Sequence, residues 1–259
     1  MDAVSSPLLV LVHGTRFDAA SWRGYAQLLP GADVLAVDLP GHGTRVGEPW
    51  SWAAARQTVA DAVASAGPGR PVVVAGHSLG GYVAASYAAS RPAALSGLVL
   101  IGATADATRH PRLTLLYTGF ARLLPVVGAE RMAVLANGTL RRLGLGADEI
   151  PDSSGYAVTP QAWADVVAHA RADMLADLAC PVFLVAGQLD QLRIDLSAYA
   201  AACRDPRVRL IPRASHLAPL THRAQVAAVL AEAIEAAGAP SEGAEAPYEP
   251  DGRDRPERR

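Results

Sequence analysis

Short apolar runs alternate with longer amphipathic segments along most of the chain. Six such runs recur, and most of them are nearly continuous apolar stretches, which is typical of strands buried on both faces of a parallel sheet. They are Leu8–Val12, Val34–Val37, Val72–Ala75, Leu98–Ile101, Val182–Ala186 and Val208–Ile211. Helical patterns occur at Trp22–Leu29, Trp52–Ala64, Tyr82–Ser90, Leu196–Ala202 and Ala224–Ala237. This order predicts an α/β fold with a doubly wound, mostly parallel sheet of about six strands.

One long segment, residues 104–178, breaks this alternation. It has no clear strand and three amphipathic runs, which are Leu113–Leu124, Glu130–Leu143 and Pro160–Leu175. We expect Thr159 to be the N-cap of the third helix and Pro160 its first residue. Long insertions in compact domains usually have a function, so we predict a helical cap on a core formed by residues 1–103 and 179–237. Helices that only pack on the core are the alternative.

The composition and charge of the chain argue against some classes of binding partner. The formal net charge is −2 and no basic patch is evident, so we expect no nucleic-acid binding. We see neither a secretory leader nor an apolar run of about 20 residues, which predicts a cytoplasmic protein without a membrane partner. No His and Cys residues have the spacing of a metal site, and we expect no cofactor and no metal. Residues 238–259 are rich in Pro, Gly, Glu and Arg and predict a disordered tail.

The strongest chemical signal is the sequence Gly76-His77-Ser78-Leu79-Gly80, between the third apolar run and a helical pattern. This is the G-x-S-x-G motif in the strand–turn–helix context that it requires. The sharp turn presents the Ser78 hydroxyl at its tip, and the glycines on either side let strand and helix pass closely. We therefore predict that Ser78 is a nucleophile. A glycine-rich turn with an idle serine is the alternative.

A serine nucleophile needs a histidine base and an acid that orients the base. Asp190 follows the fifth apolar run, and His216 follows the sixth after a short loop. Both positions lie at the carboxyl ends of predicted strands, where ligands bind in such sheets. We predict Asp190 as the acid and His216 as the base. Asp106 is an alternative acid, and His222 is an alternative base.

The first apolar run ends in His13-Gly14-Thr15. A loop at this place can direct a backbone N–H toward a developing oxyanion, and the residue after the nucleophile supplies a second N–H. We predict that the amides of Thr15 and Leu79 form this oxyanion hole. A purely structural turn is the alternative. The histidines at 13, 42 and 77 adjoin glycine turns, where we expect them to stabilise loops, and those at 110 and 169 are expected to be exposed.

Together these motifs resemble the α/β-hydrolase superfamily over roughly Leu8 to Ala237. The Asp38–Gly43 segment is similar to the D-x-P-G-x-G loop of the family, and Trp22 matches a tryptophan that often follows its His-Gly loop. The resemblance implies a Ser78–His216–Asp190 triad and acyl transfer to water.

Seven residues precede the first predicted strand, which is similar to the short, six-stranded group of plant methylesterases and hydroxynitrile lyases. The lyases of this group use a lysine beside the catalytic histidine, but this chain has Leu217 there and contains no lysine. Cyanohydrin cleavage is therefore not expected. The serine at position 78 also disfavours dehalogenases and most epoxide hydrolases, which use an aspartate nucleophile.

The sequence indicates the type of reaction more clearly than it indicates the substrate. Candidate substrate contacts are His13, Gly14, Tyr117, Phe120, Trp163 and Leu217. Most of these side chains are aromatic or aliphatic, which predicts a fairly apolar small-molecule substrate. Three hypotheses stay open: a carboxylic-ester, lactone or thioester hydrolase, a carbon–carbon bond hydrolase of ring-cleavage products, and a non-hydrolytic ligand-binding or biosynthetic auxiliary on the same fold.

Overall fold

The computed structural model describes residues 6–91, 93–112, 114, 128–142, 150–151 and 154–238. Its strands are β1 Leu8–Val12, β2 Asp33–Val37, β3 Val72–His77, β4 Gly97–Ile101, β5 Val182–Gly187 and β6 Pro206–Ile211. They form one sheet in the order β2-β1-β3-β4-β5-β6, and every neighbouring pair is parallel. The six-stranded parallel sheet expected from the apolar runs is confirmed. The last strand begins two residues earlier than predicted, because a proline is tolerated as the first residue of an edge strand.

Helices cover both faces of the sheet. They are α1 Tyr25–Leu28, α2 Trp52–Ala64, α3 Leu79–Ser90, α4 Ala129–Arg142, α5 Thr159–His169, α6 Leu196–Ala202, α7 Ala218–Thr221 and α8 Arg223–Gly238. Strand β1 shows why both layers are needed. Its Leu8, Val10 and Val12 pack in the apolar cluster that contains α2 and α3, whereas Leu9 and Leu11 pack with α1 and α8. A strand buried on both faces requires this unbroken apolar sequence.

The first predicted helix is wrong in detail. The structure has a 3-10 turn at Ala19–Trp22 and a single helical turn, α1, rather than one helix over Trp22–Leu29. Gly24 separates them with a φ of 87°, a left-handed conformation that ends regular helix and that glycine adopts without strain. Helix α3 also begins three residues earlier than predicted, directly after Ser78.

The chain between β4 and β5 contains α4 and α5, which confirms two of the three helical patterns predicted there. Helix α5 differs at both ends. Val158 rather than Thr159 is its N-cap, and the helix ends at His169 because Ala170 turns to an extended conformation with a ψ of 110°. The predicted helix Leu113–Leu124 lies outside the described residues except for Thr114, and the predicted tail lies outside them except for Gly238.

Helix α5 is joined to the core near the start of α2. The indole N–H of Trp50 donates a 2.8 Å hydrogen bond to Asp165, and the ring of Trp52 stacks on that of His169 at a centroid distance of 4.9 Å. Gly41 has no side chain because a Cβ there would lie 2.5 Å from a methyl group of Val158. Over the described part of the chain, no helix combines the length and apolar character needed to cross a bilayer.

Candidate active site

The turn between β3 and α3 holds Ser78 in a strained backbone conformation. Its φ is 51° and its ψ is −117°, values that a non-glycine residue adopts only when the surrounding structure enforces them. The approach of strand and helix enforces them here. A Cβ at Gly76 would lie 2.3 Å from the carbonyl oxygen of Gly80, and a Cβ at Gly80 would lie 2.5 Å from that of His13. The serine hydroxyl is thus presented at the carboxyl end of the central strand.

The loops after β5 and β6 bring an imidazole and a carboxylate to this hydroxyl. His216 Nε2 lies 3.0 Å from Ser78 Oγ, and His216 Nδ1 lies 3.1 Å from each carboxylate oxygen of Asp190. With a proton on Nδ1, the ring donates to Asp190 and accepts from the serine hydroxyl. The three side chains come from segments 138 and 26 residues apart and form a continuous hydrogen-bonded chain.

Asp190 is buried, with 3% of its surface exposed, and stays an anion. Burial opposes ionisation, but hydrogen bonds from His216 and from the Leu192 amide, together with the His216 charge, hold the pKa of Asp190 below its usual value. A buried carboxylate of this kind fixes the tautomer of its histidine and stabilises the imidazolium that forms during proton transfer.

The alternative acid, Asp106, and the alternative base, His222, form their contacts away from Ser78. Asp106 is buried and accepts hydrogen bonds from the amide and hydroxyl of Thr108 and from the amide of Ala172. These contacts lower its pKa against the effect of burial. His222 ends α7 and contacts the hydroxyl of Thr221 at the surface. The structure therefore gathers Asp190 and His216 around the serine and leaves both competitors outside that chain.

The two residues whose amides are expected to bind an oxyanion line the same cavity. Thr15 and Leu79 are buried and line the cavity above Ser78. Among the described residues, neither amide donates to a protein acceptor. Gly14 permits the approach of the two segments, because a Cβ there would lie 2.8 Å from His77 Nδ1 and 3.4 Å from Ser78 Cβ.

His13 is not a cavity residue, contrary to the expected substrate contact. Its ring is fully buried, and Nδ1 donates to the carbonyl oxygen of Gly14 at 2.9 Å while Nε2 accepts from the Leu39 amide at 2.9 Å. Burial lowers the pKa of His13 to about 3, so the ring is neutral and keeps this donor–acceptor pattern. It ties the loop after β1 to the loop after β2, as its place beside a glycine turn predicted.

His77 contacts His216 directly, which goes beyond the loop stabilisation expected from the sequence. Its Nε2–H donates a 2.8 Å hydrogen bond to the carbonyl oxygen of His216, and the two ring centroids are 5.0 Å apart. Burial lowers its pKa to about 3, and the nearby His216 charge acts in the same direction. The residue before Ser78 is thus bonded to the main chain of His216, the predicted base. Its position in the G-H-S sequence was the only available signal.

A cavity of about 760 Å³ opens above these groups. Gly14, Trp163 and Leu217 line it, as predicted, while Tyr117 and Phe120 lie outside the described residues. Most of the remaining wall is apolar. It includes Phe17, Leu79, Tyr82, Pro160, Ala164, Val166, Val167, Leu192 and Ile194. Helix α5 supplies one side of the wall, and the loops at the strand ends supply the other.

Comparison with known proteins places this geometry in a family. The model of the "Alpha/beta hydrolase family" matches residues 9–229. A pimeloyl-[acyl-carrier protein] methyl ester esterase of Xylella fastidiosa (strain M12) is 31% identical over 249 residues, covering 86% of this chain and 93% of that protein. The lipase LipV of Mycobacterium tuberculosis is 40% identical over 99 residues, so the chain spans 38% of LipV.

Solved structures agree on the fold. A thermophilic esterase from Thermogutta terrifontis has a TM-score of 0.70 and 23% identity, with 92% of each chain covered. MenH from S. aureus has a TM-score of 0.69 at 17% identity, covering 91% of this chain and 96% of that one. The protein belongs to the α/β hydrolase family. Within that family it is an esterase-type enzyme.

Proposed function

We propose that the protein hydrolyses small carboxylic esters through a covalent acyl-enzyme on Ser78. The observation that supports this most directly is the hydrogen-bonded chain from Ser78 Oγ through His216 to Asp190, at the floor of a largely apolar cavity. This geometry is what serine activation requires, since the nucleophile lies within hydrogen-bond reach of a base and the base is oriented by a third group.

In the proposed mechanism, His216 removes the proton from Ser78 as the serine oxygen attacks the ester carbonyl. The resulting oxyanion is stabilised by the amides of Thr15 and Leu79, each of which contributes on the order of 3 kcal/mol in the transition state. His216 then protonates the leaving alcohol. Water attacks the acyl-enzyme by the same route, and Ser78 is released with its proton.

The segment between β4 and β5 is proposed to act as the substrate-binding cap. Pro160, Trp163, Val166 and Val167 of α5 face the cavity, which favours an apolar acyl or alcohol part. The similarity to a methyl ester esterase makes a methyl ester of an apolar acyl chain the first substrate class to test. Lactones and thioesters are related carbonyl compounds that the same mechanism can cleave.

The test is a panel of p-nitrophenyl esters of increasing acyl length, together with labelling by a fluorophosphonate. We expect turnover of at least one ester and a covalent adduct on Ser78. Ser78→Ala and His216→Ala should each lower kcat by at least ~10⁴-fold. Thermal unfolding of each variant near the wild-type temperature is the control for folding. Absence of both turnover and labelling in the wild-type protein would rule out the esterase proposal.

A further inference from the structure

Arg16 occupies an unusual place in the loop after β1. It follows Thr15 directly, and its φ of 74° is left-handed for a residue with a side chain. It also lines the cavity above Ser78. The loop is held from the other side by the β4–β5 segment, because a Cβ at Gly155 would lie 2.7 Å from the Arg16 carbonyl oxygen. The backbone that carries this cation is therefore held in a fixed position beside the proposed oxyanion hole.

The groups that hold the Arg16 guanidinium are neutral. Its Cζ lies 5.4 Å from the centroid of the Tyr156 ring, a distance typical of a cation–π contact. Tyr156 is buried and donates a 2.9 Å hydrogen bond to Asn137 Oδ1, and Asn137 Nδ2 donates at 2.7 Å to the carbonyl oxygen of Pro151. This polar chain fixes the aromatic ring beneath the cation but supplies no negative charge.

Arg16 lacks a counter-ion in the described part of the chain. No described carboxylate forms an ion pair with it, and its Nε is buried without a hydrogen-bond acceptor. Other ionisable groups at the cavity have described partners. Asp106 accepts hydrogen bonds from Thr108 and Ala172, and His110 contacts Asp195 at 2.9 Å.

A charge near an apolar wall that no described carboxylate compensates is costly, and we expect a ligand to supply its partner. The planar guanidinium fork matches a carboxylate, which it can bind with two parallel hydrogen bonds. The rest of the wall offers mainly apolar contacts. These properties together fit a substrate with an apolar chain and one anionic group, rather than a fully neutral ester.

We propose that Arg16 binds a carboxylate of the substrate, so that the enzyme prefers monoesters of dicarboxylic acids to neutral esters of the same length. This inference rests on the proposed ester hydrolysis by Ser78. It adds the chemical class of the acyl part and a residue that determines specificity. Because Arg16 adjoins Thr15, the carboxylate is bound on the same side of the cavity as the oxyanion.

The first test uses the wild-type enzyme. Monomethyl esters of succinic, glutaric, adipic and pimelic acid are compared with methyl esters of straight-chain monocarboxylic acids of matched length. We expect at least one acid monoester to have a kcat/KM about tenfold or more above its neutral counterpart, which corresponds to about 1.4 kcal/mol. Equal or lower values for all four acid monoesters would overturn the inference without affecting the esterase proposal.

The second test removes the cation. Arg16→Gln should lower kcat/KM for the preferred acid monoester by about tenfold or more, mainly through KM, and leave the neutral ester within about threefold. Arg16→Lys should give an intermediate value, because it keeps the charge but not the fork. Arg171→Gln is the matched control, since Arg171 is exposed and lies off the cavity wall. Equal losses for acid and neutral esters in both Arg16 variants would assign the residue to the loop alone.

A binding measurement separates the two proposals. Calorimetry with Ser78→Ala and a monomethyl dicarboxylate needs no turnover. We expect binding that weakens about tenfold when Arg16→Gln is added. If wild-type protein hydrolyses no ester but Ser78→Ala still binds the anion through Arg16, the esterase proposal fails and the anion site stands. Turnover of neutral esters with no Arg16-dependent anion binding would support the esterase proposal and overturn the anion site.

Discussion

Two histidine–aspartate pairs border the same cavity, and among the described residues only one of them contacts Ser78, the proposed nucleophile. His216 turns Nδ1 toward Asp190 and leaves Nε2 for Ser78 Oγ at 3.0 Å. His110 turns Nε2 toward Asp195, at 2.9 and 3.0 Å from its two oxygens. Both aspartates are buried, and both imidazoles line the cavity. A histidine paired with an aspartate can therefore act as a base toward serine only if its second ring nitrogen faces the hydroxyl group.

The second pair has a structural role instead. Asp195 also accepts hydrogen bonds from the Asp106 amide at 2.8 Å and from Arg109 Nε at 3.2 Å. It precedes α6, so it links the start of the β4–β5 segment to the loop that follows Asp190. Asp190, by contrast, accepts hydrogen bonds from the imidazole of His216 and from the nearby Leu192 amide. The two carboxylates therefore differ in what they connect: Asp195 bonds groups from the start of the β4–β5 segment, and Asp190 orients the imidazole that contacts Ser78.

The largest expected difference between the two pairs is in turnover. Asp190→Asn should lower kcat by about 10³- to 10⁴-fold, because the amide can favour the wrong tautomer of His216. Asp195→Asn should change kcat by less than about threefold and lower the melting temperature, since it removes the charge that Arg109 and His110 share. Both variants are assayed on the same ester and by thermal unfolding. Near-full activity of Asp190→Asn, with loss in Asp106→Asn, would transfer the acid role to Asp106.

A smaller effect concerns the buried neutral histidines. His13 and His77 have pKa values of about 3 in the folded protein and about 6.5 when unfolded. Between these values the unfolded chain binds the extra protons, so the free energy of unfolding falls as the pH falls. Each histidine should remove about 2 kcal/mol between pH 6.5 and pH 5. Urea unfolding at several pH values across this range measures how steeply the free energy of unfolding depends on pH.

The variant His77→Gln gives the control for that slope. It removes one of the buried rings whose pKa is lowered, so its free energy of unfolding should depend less steeply on pH than that of the wild-type protein. A slope equal to that of the wild type would show that His77 does not titrate in this window. Aspartates contribute little there, because the cited Asp38, Asp106 and Asp190 shifts are downward and act at more acidic pH.

The smallest effect concerns the bond from His77 to the main chain of His216. His77→Leu should lower kcat by roughly tenfold with little change in KM, because the base is held less firmly toward Ser78. Gln can place a donor near the same carbonyl, so His77→Gln should recover part of the loss. A purely structural role predicts that both variants lose stability and activity in parallel, with no rescue by the donor.

Much of the sheet and of the site follows from local sequence. The apolar runs predict all six strands, and most clearly the inner ones, because a strand buried on both faces has few polar positions to obscure it, whereas the edge strand β6 contains Arg207 and Arg209. The G-H-S-L-G sequence locates Ser78 because steric crowding permits only glycine at Gly76 and Gly80. Asp190 and His216 could be placed because each follows a strand, and parallel strands share one carboxyl edge. Their roles in catalysis stay predictions until the variants are measured.

Other features depend on contacts that sequence spacing does not encode. His77 bonds to a residue 139 positions away, and the extended backbone of Ala170, which ends α5, gives no periodic signal. The two histidine–aspartate pairs are also indistinguishable in sequence, since which ring nitrogen faces the carboxylate is set by packing. His110 was expected to be an exposed polar residue, yet it lies against the buried carboxylate of Asp195.

The contact between Gly155 and the Arg16 main chain has a consequence for modular engineering. Segments between β4 and β5 are attractive units to exchange when a hydrolase is given a new specificity. Here that segment rests directly on the backbone next to Thr15, and a Cβ at position 155 would collide with it. A graft that carries any side chain at this position would displace the neighbouring loop. In this protein, the segment and the loop after β1 need to be transplanted as one matched pair.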